Sequence, residues 1–175
     1  MPDHKWDLSR LSAGEKSALK RNAGTMMNAA GADAIESFYH ALTAKVKQYE
    51  ENTWFAALCM QCLWREEDHP QIRSLPEMLR AIYQNPDSTE SSRKKCTGFL
   101  DVSWGNDGFL LGKICSLVRG MRSRSTQVMP DFEELADDLS RWNHPDRYIQ
   151  RKWLRIICSN YQDTENIEEV KENVD

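Results

Sequence analysis

Residues 110–158, LLGKICSLVRGMRSRSTQVMPDFEELADDLSRWNHPDRYIQRKWLRIIC, constrain the fold more than any other stretch of the chain. Apolar side chains recur there every three or four residues in three successive blocks, which is helical periodicity. Ser123 to Pro130 and Asn143-His144-Pro145 separate the blocks, and arginines stand on the faces that the periodicity turns outward. Three consecutive helices with that pattern present a rigid, arginine-bearing surface suited to a polyanion. Binding, not conversion, is the first expectation for such a chain.

The remainder of the sequence is also helical. Ser12 and Glu15 form the signature of a capping box and open a first helix that runs to about Arg21. Asp33 and Glu36 repeat that offset and predict a second helix through FYHAL. Residues 51–65, ENTWFAALCMQCLWR, predict a long apolar third helix in which Trp54, Leu58 and Cys62 share a face with Phe55 and Cys59. Ser74 caps a fourth, with Pro76 in its first turn and Glu77 three residues on. A polar loop, QNPDSTES at 84–91, follows. Further helices are expected at about 90–101, 107–122, from Asp131 to Trp142, and from about 146 to Asn160. No alternating pattern of strand length and no internal repeat occurs. The expected fold is all-α, with eight helices and no sheet, in two small tandem bundles at 1–86 and 87–162. Residues 163–175 are expected to be an acidic, frayed or disordered tail.

Charge distribution matters more here than its total. The 175 residues carry a net charge of −4, but six acids and a single lysine fall in 163–175. The other 162 residues hold 22 basic against 21 acidic side chains. Phosphate responds to charge within about 10 Å at ~0.1 M salt, so a near-neutral body can carry a basic stripe. Six tryptophans supply large core side chains. The opening MPDHKWDLSR has no apolar leader core, and no window approaches the ~20 apolar residues of a membrane span. Five cysteines, an odd number, suit a reduced, cytoplasmic protein.

Candidate chemistry is thin. Cys59 and Cys62 have CxxC spacing but sit inside an apolar helix with no second knuckle, as buried small hydrophobes do. His4, His40, His69 and His144 show no ligand spacing, and neither a phosphate loop nor a nucleophile elbow is present. Glu133, Glu134, Asp137 and Asp138 read as a helix N-terminal charge bias and a solvated face, not a metal site. The expectation is a protein without catalytic residues, metal or cofactor.

Basic residues form stripes. Arg147, Arg151 and Arg155 recur every fourth residue, about 180° from the apolar face of Ile149, Trp153, Ile156 and Ile157. Arg119 and Arg122 stand on the polar side of the sixth helix, and Arg124 continues them. Lys20 and Arg21 end the first helix, where cations suit the dipole in any case. Arg93, Lys94 and Lys95 open the fifth, where the dipole disfavours them. Each stripe is also compatible with an ordinary solvated face. The aromatics fall mostly on core faces, so contact with a phosphate backbone is expected without base stacking.

In order and spacing, the segments LSAGEKSALKR, IESFYHAL, WFAALCMQCLW, SLPEMLRAI, SSRKK, LLGKICSLVRGMRS, MPDFEELADDLSRW and RYIQRKWLRIIC resemble the CasB family, the small subunit of the type I-E CRISPR Cascade complex. The resemblance covers most of residues 10–160. It implies a non-catalytic subunit in antiviral defence that stabilises the R-loop by holding the crRNA–target heteroduplex and the displaced non-target strand. Its implied partners are the backbone and large subunits of Cascade, crRNA, single-stranded or target DNA and a second copy of itself, with no membrane. Carried over by position, its basic surface is Lys20, Arg21, Arg93, Lys94, Arg119, Arg122, Arg147 and Arg151, to which the loop residue Arg124 is added. Lys20 stands where an arginine is usual, which weakens bidentate phosphate contact there. Two other classes remain open. A helical protein–protein adaptor would pair the same arginines with acidic partners. A helix-turn-helix regulator would need a shorter turn than 123–130 and a base-reading helix.

Overall fold

A computed structural model describes residues 4–160, so the acidic segment 163–175 lies outside the described residues. Eight α-helices carry the architecture: α1 Ala13–Arg21, α2 Ala32–Ala41, α3 Glu51–Gln61, α4 Leu75–Tyr83, α5 Glu90–Thr97, α6 Phe109–Arg124, α7 Phe132–Ser140 and α8 Tyr148–Cys158. The all-α expectation therefore holds for these residues, with one small addition. Two three-residue strands, β1 Gln71–Arg73 and β2 Val128–Pro130, pair in parallel with Ile72 opposite Met129. Their ladder is extended by the Gln71 amide on the Gln127 carbonyl at 2.8 Å and the Asp131 amide on the Arg73 carbonyl at 2.7 Å. The expectation of no sheet is thus corrected, and the connection at 123–130 contains a strand. All three residues of β1 are exposed, so no alternation of burial could mark it in the sequence.

Four of the eight helix starts carry a side-chain cap. Ser12 completes the capping box, accepting from the Glu15 amide at 3.2 Å while its own amide donates to the Glu15 carboxylate at 2.8 Å. Ser74 caps α4, Thr89 caps α5 and Asp131 caps α7, each by accepting from the amide three residues on. The start of α2 differs from expectation: Gly31 is the cap, and Asp33 lies in the first turn, where its charge suits the helix dipole. Glycine is required at the entry to α6, where Gly108 has φ +72° and any Cβ would meet Met26 at 3.1 Å.

α3 is the axis of the molecule. Residues Thr53 to Met60 are all buried, so this helix needs neighbours on every side. α7 gives it the most extensive packing, with α1, α2 and α6 on other sides. α4 packs on α8 and on α5. Helices before and after the 84–91 loop therefore share contacts, and the buried apolar residues form one cluster. Trp6 and Trp54 meet edge to face at 5.4 Å, and Trp64 packs on Phe132 at 5.7 Å. Near α8, Trp142 and Trp153 cross at 5.3 Å with Phe99 against both. No helix among the described residues is long and apolar enough to cross a membrane.

Candidate nucleic-acid interface

Folding sorts the candidate cations into those that hold the structure together and those left to solvent. Arg122 is half-buried and belongs to the first group. Its Nε donates to the Leu63 carbonyl at 3.1 Å, its terminal nitrogen lies 3.8 Å from Asp68, and its guanidinium covers the Trp64 ring. Arg119 donates to the Ala23 carbonyl at 3.3 Å and Arg93 to the Tyr83 carbonyl at 3.2 Å. Arg21 pairs with Asp33 at 3.4 Å and Lys94 with Glu90 at 3.3 Å, both in exposed settings worth little to stability. Arg147 precedes α8 in the left-handed region, φ +52°, which is costly for a side chain of this size. Its guanidinium offsets that cost by bonding the Leu100 carbonyl at 3.0 Å and Asp101 at 2.8 Å.

The second group is Lys20, Arg124 and Arg151, together with Lys95 and Arg155. All five are exposed and form no side-chain hydrogen bond or ion pair among the described residues. Lys20 nevertheless lines a depression of mixed charge with Lys16, Arg65, Glu66, Glu67 and Asp68. Arg151 and Arg155 are one turn apart on α8.

α5 and α6 bring cations together where the linear sequence does not. A groove of about 780 Å³ between them is lined by Lys94, Lys95 and Lys113, with Phe99, Phe109 and Leu117. Phe109 is 55% exposed, and the Lys113 ammonium lies 5.3 Å from its ring centre. At 100° per residue, Lys113 and Arg124 differ by about 20° around α6 and stand about 16 Å apart along it. Arg119 and Arg122 are turned roughly 120–180° away, toward the α1 and α3 ends. The outward basic line of α6 is therefore Lys113 to Arg124. Phe109 and Lys113, four residues apart on the polar face of an amphipathic helix, were the available signal for it. An exposed ring beside three ammonium groups can stack on a base while the cations meet phosphate.

The acidic residues also redistribute. Asp138 is buried, not solvated: Trp153 Nε1 and Lys152 Nζ both reach its carboxylate at 2.8 Å. Glu133 accepts from the Lys5 amide at 2.7 Å, and burial pushes the Glu134 carboxyl upward. Of the CxxC pair, Cys59 lies in the core and Cys62 is half-buried against it. Burial raises the Cys59 thiol far above its usual range and the Cys62 thiol to about 12, so neither is a thiolate at neutral pH.

The sequence matches the family described as CRISPR-associated protein Cse2 over residues 15–156. A protein of that description from Thermus thermophilus is 28% identical over 109 residues, 62% of this chain and 57% of the relative, so the chain spans less than two thirds of its length. Among solved structures, a chain of a "CRISPR RNA-guided surveillance complex" has a TM-score of 0.63 at 16% identity, covering 94% of this chain and 89% of the other. The crystal structure of M. ruber CasB has a TM-score of 0.63 at 13% identity, covering 94% and 91%. With a match that extends from the first helix to the last, the chain belongs to the family of the CRISPR-associated protein Cse2, or CasB.

Proposed function

We propose that this chain is a non-catalytic subunit of a crRNA-guided surveillance complex of the Cascade type, and that it stabilises the R-loop through the displaced non-target strand and the crRNA–target heteroduplex. The observation that carries this reading is the α5–α6 face, where Lys95 and Lys113 are open to solvent in the groove that holds the exposed Phe109, and Arg124 is exposed at the far end of α6. The face offers charge and one stacking ring but no set of base-reading groups, which suits a binder indifferent to sequence. Guide pairing supplies the sequence reading, and exchanging a DNA duplex for a heteroduplex is nearly balanced in energy, so a few phosphate contacts can tip it. Arg151 and Arg155 on α8 form a second candidate contact. Partners in this reading are the backbone and large subunits, crRNA, target DNA and a second copy of the chain.

The test is the target-DNA affinity of the cognate guide complex assembled with and without this chain, at two salt concentrations. Omission is expected to weaken binding and flatten the salt dependence. Unchanged affinity and slope would favour the adaptor reading. In that alternative the arginines pair with acidic partners; a separate groove, lined by Asp7, Glu66, Asp131, Glu133, Glu134 and Asp137, would suit a basic protein segment.

A further inference from the structure

The chain leaves α8 beside a cluster of cations. Gln84 Nε2 donates to the Ile157 and Ser159 carbonyls at 3.1 and 3.0 Å, which fixes the end of α8 on the end of α4. The neighbouring residue Tyr83 receives the Arg93 guanidinium at its carbonyl and faces Cys158 with its hydroxyl. Cys96, one turn further along α5, lies within electrostatic reach of both Cys158 and Arg124. Arg155 is in the last turn of α8. Arg93, held on the residue before Gln84, and Arg155, in the last turn of α8, are therefore near the point from which the sequence runs on into DTENIEEVKENVD, with six carboxylates and one lysine. From that point the basic face continues along α5 and α6 to Lys94, Lys95 and Lys113.

We propose that the acidic segment 163–175 docks on the basic α5–α6 face of its own chain and competes there with nucleic acid. The competition rests on the nucleic-acid reading given above; the docking does not. Charge complementarity carries it, since five net negative charges enter the chain next to the exposed cations of α5, α6 and α8. Reach permits it. Fifteen residues beyond 160 span up to about 50 Å, and α6 is about 24 Å long. The segment supplies carboxylates where a strand would supply phosphates, and the tether makes the contact intramolecular, with an effective concentration near the millimolar range. A free subunit is thereby kept from non-specific nucleic acid, while a guide complex that presents a strand across the same face displaces the segment.

Two measurements on the full chain test this. The first is zero-length carbodiimide cross-linking at low salt, mapped by mass spectrometry, with links expected from the carboxylates of 163–175 to Lys94, Lys95 or Lys113. The second is affinity for a short oligothymidylate, compared with the full-length variant Asp163→Asn, Glu165→Gln, Glu168→Gln, Glu169→Gln, Glu172→Gln and Asp175→Asn. The variant is expected to bind about tenfold more tightly at low salt, with the difference closing as salt screens the contact. Absence of links to those lysines overturns the proposal, whatever the oligonucleotide does, because a mere change of net charge would also raise affinity. Links without measurable binding by either form leave the docking in place and count against the nucleic-acid reading alone.

Discussion

Trp153 and Asp138 are joined by a 2.8 Å hydrogen bond from the indole nitrogen to a buried carboxylate, and Lys152 holds the carboxylate's other oxygen at 2.8 Å. This ties α8 to α7 through an acid that the sequence pattern assigns to a solvated face. Asp138→Ala removes the acceptor and leaves the buried indole N–H without a partner. A loss of about 2–3 kcal/mol is expected, read as a lower urea midpoint with unchanged slope.

Arg122 and Arg124 are two residues apart and have different roles. Arg122→Ala deletes the bond to the Leu63 carbonyl, the approach to Asp68 and the cover of Trp64. It is expected to cost about 2 kcal/mol of stability. Arg124→Ala is expected to leave the melting temperature unchanged. Thermal unfolding of the two variants side by side checks this, and equal melting temperatures would overturn it.

The combined variant Lys95→Gln, Lys113→Gln and Arg124→Gln should fold as the parent does, since none of the three makes an ion pair among the described residues. In an assembled guide complex its target affinity should fall alike for unrelated target sequences. The salt slope should become shallower by about 0.7 for each phosphate that is no longer neutralised. Affinity measured over a salt series, with two guides, decides it.

Thiol chemistry should be confined to one position. Cys158 is exposed, whereas Cys59, Cys96 and Cys115 are buried and Cys62 is half-buried. A thiol reagent at mildly alkaline pH should label a single cysteine quickly, identified by peptide mapping, and the other four only on unfolding. Linkage gives the accompanying pH dependence. Folded Cys59 and Cys62 keep their protons above the pH, about 8.5, at which unfolded thiols ionise. Stability from these groups is therefore complete below that pH and declines as pH rises through the alkaline range toward the folded values. Urea midpoints measured between neutral and alkaline pH should show this decline, and Cys59→Ala combined with Cys62→Ala should reduce it.

Local chemistry and apolar periodicity were enough to establish the eight helices and three of their four side-chain caps. Ser12, Ser74 and Asp131 act within three residues of themselves, so nothing distant is needed to see them. The order and spacing of the same segments also carried the family. Tertiary structure alone decided three matters. It made the β1–β2 clip, because three-residue strands have no period to read. It turned Asp138 from a surface acid into a buried acceptor, because that depended on where Trp153 and Lys152 arrive from another helix. It divided the arginines, holding Arg93, Arg119, Arg122 and Arg147 on carbonyl oxygens while leaving Arg124 and Arg151 to solvent. Whether a guanidinium meets a carbonyl or open water depends on the backbone brought beside it by packing, and no spacing within one helix encodes that.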